Sequence, residues 1–142
     1  MNYQWLAGFI NAEGCFYVAA SKAKSKLGIK ASLRFMIGLS DREIFLLRDI
    51  ITFLGCGTLY INTKAKEAQL TVNGFYDVIN TIIPLINKCP LEGVKALDFK
   101  DWCKVADLMV KGHHLTADGL VEIQKIKAEM NSKRAACEDP AE

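Results

Sequence analysis

The chain has 142 residues, 51% of them hydrophobic and 24% charged, with a net charge of +2. That is enough apolar sequence for one domain with an adequate core, and it excludes a disordered chain. No apolar run is long or uninterrupted enough to span a bilayer, and so small a net charge does not by itself announce a nucleic-acid partner. Cys15, Cys56, Cys89, Cys103 and Cys137 form an odd set without a CxxC pair. Free thiols in a reducing compartment are therefore expected, not a disulfide or zinc framework. Met1 leads within a few residues into an apolar segment, without the basic start and cleavage site of a signal peptide.

In chain order, residues 5–13 read as a short apolar helix with small residues at Ala7, Gly8 and Ala12, stopped by Gly14. A carboxylate at Glu13 meets the negative end of the helix dipole, which disfavours it by roughly 0.3–1 kcal/mol, so positive charge is expected nearby. Gly8 and Ala12 leave one helix face nearly flat and open to a second helix. If that helix belongs to another copy, two Glu13 carboxylates converge at a two-fold axis and need a divalent cation between them.

After Gly14 the residues alternate, Phe16 and Val18 one way and Cys15, Tyr17 and Ala19 the other, as in a half-buried strand. Residues 21–28 form a lysine-rich turn. Residues 32–39 alternate again, with Leu33, Phe35, Ile37 and Leu39 inward and Ser32, Arg34, Met36 and Gly38 outward. Ser40 and Glu43 predict a capping box, and Ile44, Leu47, Ile51 and Leu54 a helix ended by Gly55-Cys56-Gly57. A third strand is predicted over 58–62, with Leu59 and Ile61 inward and Thr58, Tyr60 and Asn62 outward. The fourth, over 68–72, turns Leu70 and Val72 inward and Gln69 and Thr71 outward, with Lys64 and Lys66 on the turn between them.

Residues 75–87 read as helical, with Pro84 kinking or splitting the helix. After a break over 89–93, a helix over 94–111 buries Ala96, Phe99, Trp102 or Cys103, Ala106 and Val110. Thr116 caps a last helix that runs through Met130 with Leu120, Ile123 and Ile126 inward. Residues 1–130 make a single domain and 131–142 a frayed tail.

This order is αββαββα, an α+β fold with one four-stranded antiparallel sheet and its helices on one face. The other face carries Tyr17, Ala19, Ser21, Ser32, Arg34, Met36, Gly38, Tyr60, Asn62, Gln69 and Thr71. Such a face suits the DNA major groove: Arg34 could reach guanine, Asn62 and Gln69 adenine, and Tyr17, Met36 and Tyr60 thymine methyls or base edges. Lys22, Lys24, Lys26, Lys30, Lys64 and Lys66 would position it on phosphates without reading sequence.

The run Leu6-Ala7-Gly8-Phe9-Ile10-Asn11-Ala12-Glu13-Gly14 resembles the signature of the LAGLIDADG homing endonucleases, whose eighth position is an acidic metal ligand and here is Glu13. Asn11 departs from the family's usual Asp, which keeps the metal ligand but not a second carboxylate. The αββαββα order, with a saddle-shaped sheet, is also the family's. Pro90-Leu91-Glu92-Gly93-Val94-Lys95-Ala96-Leu97-Asp98-Phe99 is similar to a stretch in which relatives carry a lysine that approaches the active site, and Lys95 matches it. That run, His114-Leu115-Thr116 and the helix after it resemble the C-terminal half of two-motif, intron-encoded members. Leu39 stands where many members have a polar, water-ordering residue.

The resemblance implies an Mg²⁺-dependent enzyme that hydrolyses both strands of a long, near-palindromic DNA site to leave short 3′ overhangs. Mn²⁺ would replace Mg²⁺, and Ca²⁺ would substitute without catalysis. Glu13 and the Ala12 backbone carbonyl would hold the metal, and Lys95 would offset phosphate charge or polarise water. One motif and no internal repeat imply a homodimer joined through Leu6, Ala7, Gly8, Phe9, Ile10 and Ala12, or else an isolated or engineered half. The family also implies an intracellular, mitochondrial or other organellar setting. A competing reading is a non-cleaving DNA-binding protein or an intron-splicing maturase acting on RNA. A metal enzyme built on His113 and His114 is disfavoured because adjacent residues face apart, and thiol chemistry at Cys15 lacks a nearby base.

Overall fold

A computed structural model describes residues 1–24 and 26–131; Cys137 and the rest of the tail expected over 132–142 lie outside the described residues. The chain opens with helix α1 (Tyr3–Glu13), runs directly into strand β1 (Gly14–Lys22), and returns as β2 (Ile29–Ser40). A 3₁₀ turn leads to α2 (Ile44–Leu54), then β3 (Thr58–Asn62) and β4 (Glu67–Val72). The helical path that follows comprises α3 (Phe75–Asp77), a π segment (Val78–Ile82) and α4 (Ile83–Lys88). Helices α5 (Gly93–Val110) and α6 (Ala117–Ala128) complete it. The αββαββα order is the expected one.

The two hairpins join through their second strands, giving the antiparallel order β1-β2-β4-β3. Register puts the alternation to use. Phe16 pairs with Phe35 and Phe35 with Val72, while Ile37 pairs with Leu70, so one face is continuously apolar. Against it pack Leu6 and Ile10 of α1, Leu47 and Ile50 of α2, Ile82 and Ile86, and Trp102 and Val105 of α5. Phe16 is the hub of an aromatic cluster, with ring centroids 5.1 Å from Trp102, 5.3 Å from Phe99 and 5.6 Å from Phe35.

Gly14 stops α1 without a left-handed turn, since its φ is −76° and the chain simply becomes extended. What requires glycine is space: a Cβ there would come within 2.8 Å of the Ile10 carbonyl. At Pro84, which lacks the N–H for an α-helical bond to residue 80, the helical path is divided into α3, a π segment and α4. It widens into the π segment just before the proline and resumes as α4.

Several expected positions shift. Ser40 does cap, but its Oγ accepts from the Arg42 N–H at 3.3 Å, one residue short of the capping-box bond to Glu43. Ile61 is 46% exposed on β3, an edge strand of the sheet, and Val110 is 64% exposed while its neighbours Leu108 and Met109 pack against the core and Val105 is fully buried. Trp102, not Cys103, is the fully buried member of its pair. Asn131, expected to open the frayed tail, is held by hydrogen bonds to Asp98 and Phe16.

Candidate active site and nucleic-acid interface

Because β1 begins where α1 ends, Glu13 is carried to the edge of the outward sheet face. It is exposed and borders a 640 Å³ cleft with Gly38, Leu39, Tyr60, Asn62 and Gln69. The carboxylate and the expected base-reading side chains thus share one cavity. Ala12, whose carbonyl falls in the last turn of α1 where helix carbonyls lack intrahelical partners, is exposed beside it.

The cation expected near Glu13 is Lys95. It leaves the first turn of α5, and its Nζ donates to the Gly14 carbonyl, the residue after Glu13. Asn11, one turn of α1 earlier, accepts the Glu92 N–H through Oδ1 at 2.8 Å. Asn11 therefore ties the end of α1 to the start of α5, a job that needs an acceptor and no charge. Cys15 lies in the same neighbourhood, and burial pushes its thiol up, with the Lys95 charge opposing that and the Asp98 carboxylate adding to it.

One carboxylate and one carbonyl are hard oxygen donors, which suits Mg²⁺ or Ca²⁺ in kind, and their exposure leaves room for phosphate oxygens and water to complete a shell. Among the described residues no three His, Cys, Asp or Glu side chains gather.

The outward face is largely as expected. Register aligns Tyr17 with Arg34, Ser21 with Lys30, Met36 with Thr71, and Gly38 with Gln69 and then Tyr60. Ser21, Lys22, Lys24, Lys26, Lys30, Arg34, Gly38, Tyr60, Asn62, Lys64 and Lys66 are exposed, and Ser32, Met36 and Gln69 partly so. Ala19 and Thr71, each 6% exposed, are sunk between larger neighbours and present almost no surface.

Three of the readers are already engaged. Asn62 Oδ1 accepts the Ala65 N–H at 3.1 Å to close the β3–β4 turn, and Gln69 Nε2 donates to Thr71 Oγ1 at 3.2 Å. Each amide keeps a further lone pair on its oxygen and an N–H beyond that bond, while the bond fixes its orientation. The Lys127 Nζ covers the Tyr17 ring at 5.0 Å.

The expected helix interface narrows for a geometric reason. Leu6 and Ile10 are four apart on the core side of α1 and fully buried, with Ala7 beside them at 6%, so none is available to a partner. The outer stripe is Trp5, Gly8 and Ala12, flanked by Phe9, whose ring stacks on Trp5 at 5.1 Å.

Sequence reasoning missed the parts that Asn11, Asp98 and Asn131 play here. A carboxylate within the apolar pattern of α5 was the signal for Asp98; Asn131 offered none, since its side-chain partners Cys15 and Phe16 lie more than 100 residues away and Asp98 lies 33 away.

Comparison with known proteins agrees with this geometry. The family profile described as LAGLIDADG endonuclease matches residues 6–106. Two Neurospora crassa proteins named "Probable intron-encoded endonuclease 3" and "Probable intron-encoded endonuclease 2" are 38% and 32% identical over 119 and 123 residues, covering 84% and 87% of this chain. The chain spans only 22% and 26% of their lengths. Among solved structures, the I-LtrWI LAGLIDADG homing endonuclease bound to target DNA superposes with a TM-score of 0.92 at 37% identity over 95% of this chain and 46% of that one. The I-SmaMI LAGLIDADG homing endonuclease bound to cleaved DNA gives 0.91 at 36% identity over 94% and 45%. A further I-SmaMI structure, bound to uncleaved DNA in the presence of calcium ions, gives 0.89 at 36% identity over 92% and 45%. This chain belongs to the LAGLIDADG endonuclease family.

Proposed function

We propose that this chain is one catalytic half of a site-specific, metal-dependent endonuclease that cleaves double-stranded DNA. The observation that carries the reading is the shared cleft: an exposed Glu13 opens onto the face that holds Arg34, Tyr60 and the basic turns.

Glu13 and the Ala12 carbonyl would hold the cation at the edge of the cleft. When bound, Mg²⁺ supplies charge for the leaving oxygen and acidifies a water. Lys95, anchored on the Gly14 carbonyl, presents its ammonium toward phosphate charge that grows during cleavage. Arg34, Tyr60, Met36, Asn62 and Gln69 select sequence, the last two through the amide valences that their internal bonds leave open. Lys22, Lys24, Lys26, Lys30, Lys64 and Lys66 sit on phosphates and set register.

Two such halves meet along the Trp5–Gly8–Ala12 stripe. As an independent chain the protein pairs with a second copy, which makes it a homodimer and its site near-palindromic, with both strands cut to leave short 3′ overhangs. In the solved relatives, of which this region fills about 46%, the chain is long enough for a second half. Residues 1–130 act as one domain, in the organellar setting implied by intron-encoded relatives.

The test is to recover sites from a randomised duplex library incubated with the chain in Mg²⁺ and, separately, in Ca²⁺. The proposal expects a two-fold-related consensus cleaved in Mg²⁺ and bound uncut in Ca²⁺. Binding in both without cleavage would instead establish a non-cleaving DNA-binding protein.

A further inference from the structure

Two polar side chains stand beside Lys95 without a part in the proposed chemistry. Asp98 follows Lys95 by one turn of α5 and is 4% exposed. A carboxylate withdrawn from water is costly unless hydrogen bonds compensate it, and its Oδ1 accepts the Asn131 backbone N–H at 3.0 Å. Asn131 adopts a left-handed φ of 58°, which asparagine tolerates better than most residues. That turn aims its side chain back at β1, where Nδ2 donates to the Phe16 carbonyl at 2.8 Å and Oδ1 accepts from the Cys15 thiol at 3.8 Å.

These bonds close a triangle. Lys95 links α5 to β1 at Gly14, Asn131 links the chain after α6 to β1 at Phe16, and Asp98 links α5 to that same segment. Lys95, Asp98 and Asn131 also border one 510 Å³ cleft with Asn11. A slide of α5 along β1 would carry Lys95 away from Glu13, and the Asp98 and Asn131 sides of the triangle oppose it.

We propose that Asp98 and Asn131 are positioning residues of the cleavage centre, fixing α5 against β1 so that the Lys95 ammonium is held next to Glu13. The proposal rests on the reading of Glu13 and Lys95 as that centre.

The informative variant is Asn131→Gly, because glycine accepts the left-handed backbone and removes only the side-chain grip. It is compared with Lys95→Met and with the double variant, using the full chain and a duplex recovered from the library above. Asn131→Gly should keep binding in Ca²⁺ within about threefold and slow single-turnover cleavage on the order of 10- to 100-fold, as misplacement of a reacting group does. The double variant should be no slower than Lys95→Met alone, because Asn131 acts through Lys95. In the free chain, the NMR signal of the Lys95 side-chain nitrogen should lose order in Asn131→Gly. Losses that multiply in the double variant, or a Lys95 signal as ordered as in the wild type, would overturn the proposal. A Lys95 signal that loosens while Lys95→Met cleaves at the wild-type rate would uphold the positioning and overturn the role of Lys95 in cleavage.

Discussion

Glu13 occupies a costly position at the negative end of α1, and the residues around it show how the cost is met. Lys95 brings positive charge to the adjacent carbonyl, and Asn11 holds the helix that carries Lys95. With Asp in place of Asn11, the same contact would add a second negative charge to that helix end. Burial, with the Asp107 carboxylate adding to it, pushes Cys103 up to about 12 from an ordinary value of 9.0. The folded chain therefore keeps a proton that the unfolded chain gives up above pH 9. Cys103 thus contributes stability that is complete below that pH and is lost as pH rises through about 12. Urea midpoints measured from pH 8 to pH 11 should accordingly fall more steeply for the wild type than for Cys103→Ala; equal slopes would contradict this. Glu13 and the lysine turns were legible in the sequence because charge stands out in an apolar or alternating pattern, whereas Lys95 was marked only by the family resemblance. The Asp98–Asn131 link was not, because a long-range hydrogen bond leaves no local pattern.

At the scale of elements, α1 serves two masters. Its Leu6 and Ile10 side enters the core, and its Trp5, Gly8 and Ala12 side faces outward. A glycine inside a helix costs about 1 kcal/mol relative to alanine, yet a Cβ at Gly8 would meet nothing within 4 Å. The chain's own packing does not ask for glycine there; the closely approaching second helix of the proposed pairing would. Gly8→Leu should therefore leave the melting temperature of the isolated chain unchanged or higher while abolishing self-association in sedimentation, and a persistent dimer would remove this stripe from the interface. The strands were readable from alternation because one face packs on helices and the other does not. The pattern failed at Ile61, in the inward phase but on an edge strand, and at Val110, beside which Leu108 and Met109 make the core contacts. Periodicity reports which way a side chain points and not whether anything stands opposite.

For the whole molecule, the modest net charge of +2 conceals a separation. Lysines collect at the β1–β2 turn, at the end of β1 away from Glu13, and at the β3–β4 turn, which the register places at the Glu13 end of the sheet, so basic groups stand at both ends of the outward face and the exposed carboxylate at one of them. On the proposed reading the same sheet would offer phosphate contacts, base contacts and a metal ligand within one continuous surface, and the family's solved members on DNA share its fold closely. The most direct measurement of this account is single-turnover cleavage of a library-derived duplex by Glu13→Gln, with binding to the same duplex followed in Ca²⁺. The account predicts that cleavage in Mg²⁺ falls on the order of a thousandfold while binding stays within a few-fold; cleavage by Glu13→Gln at the wild-type rate would contradict it.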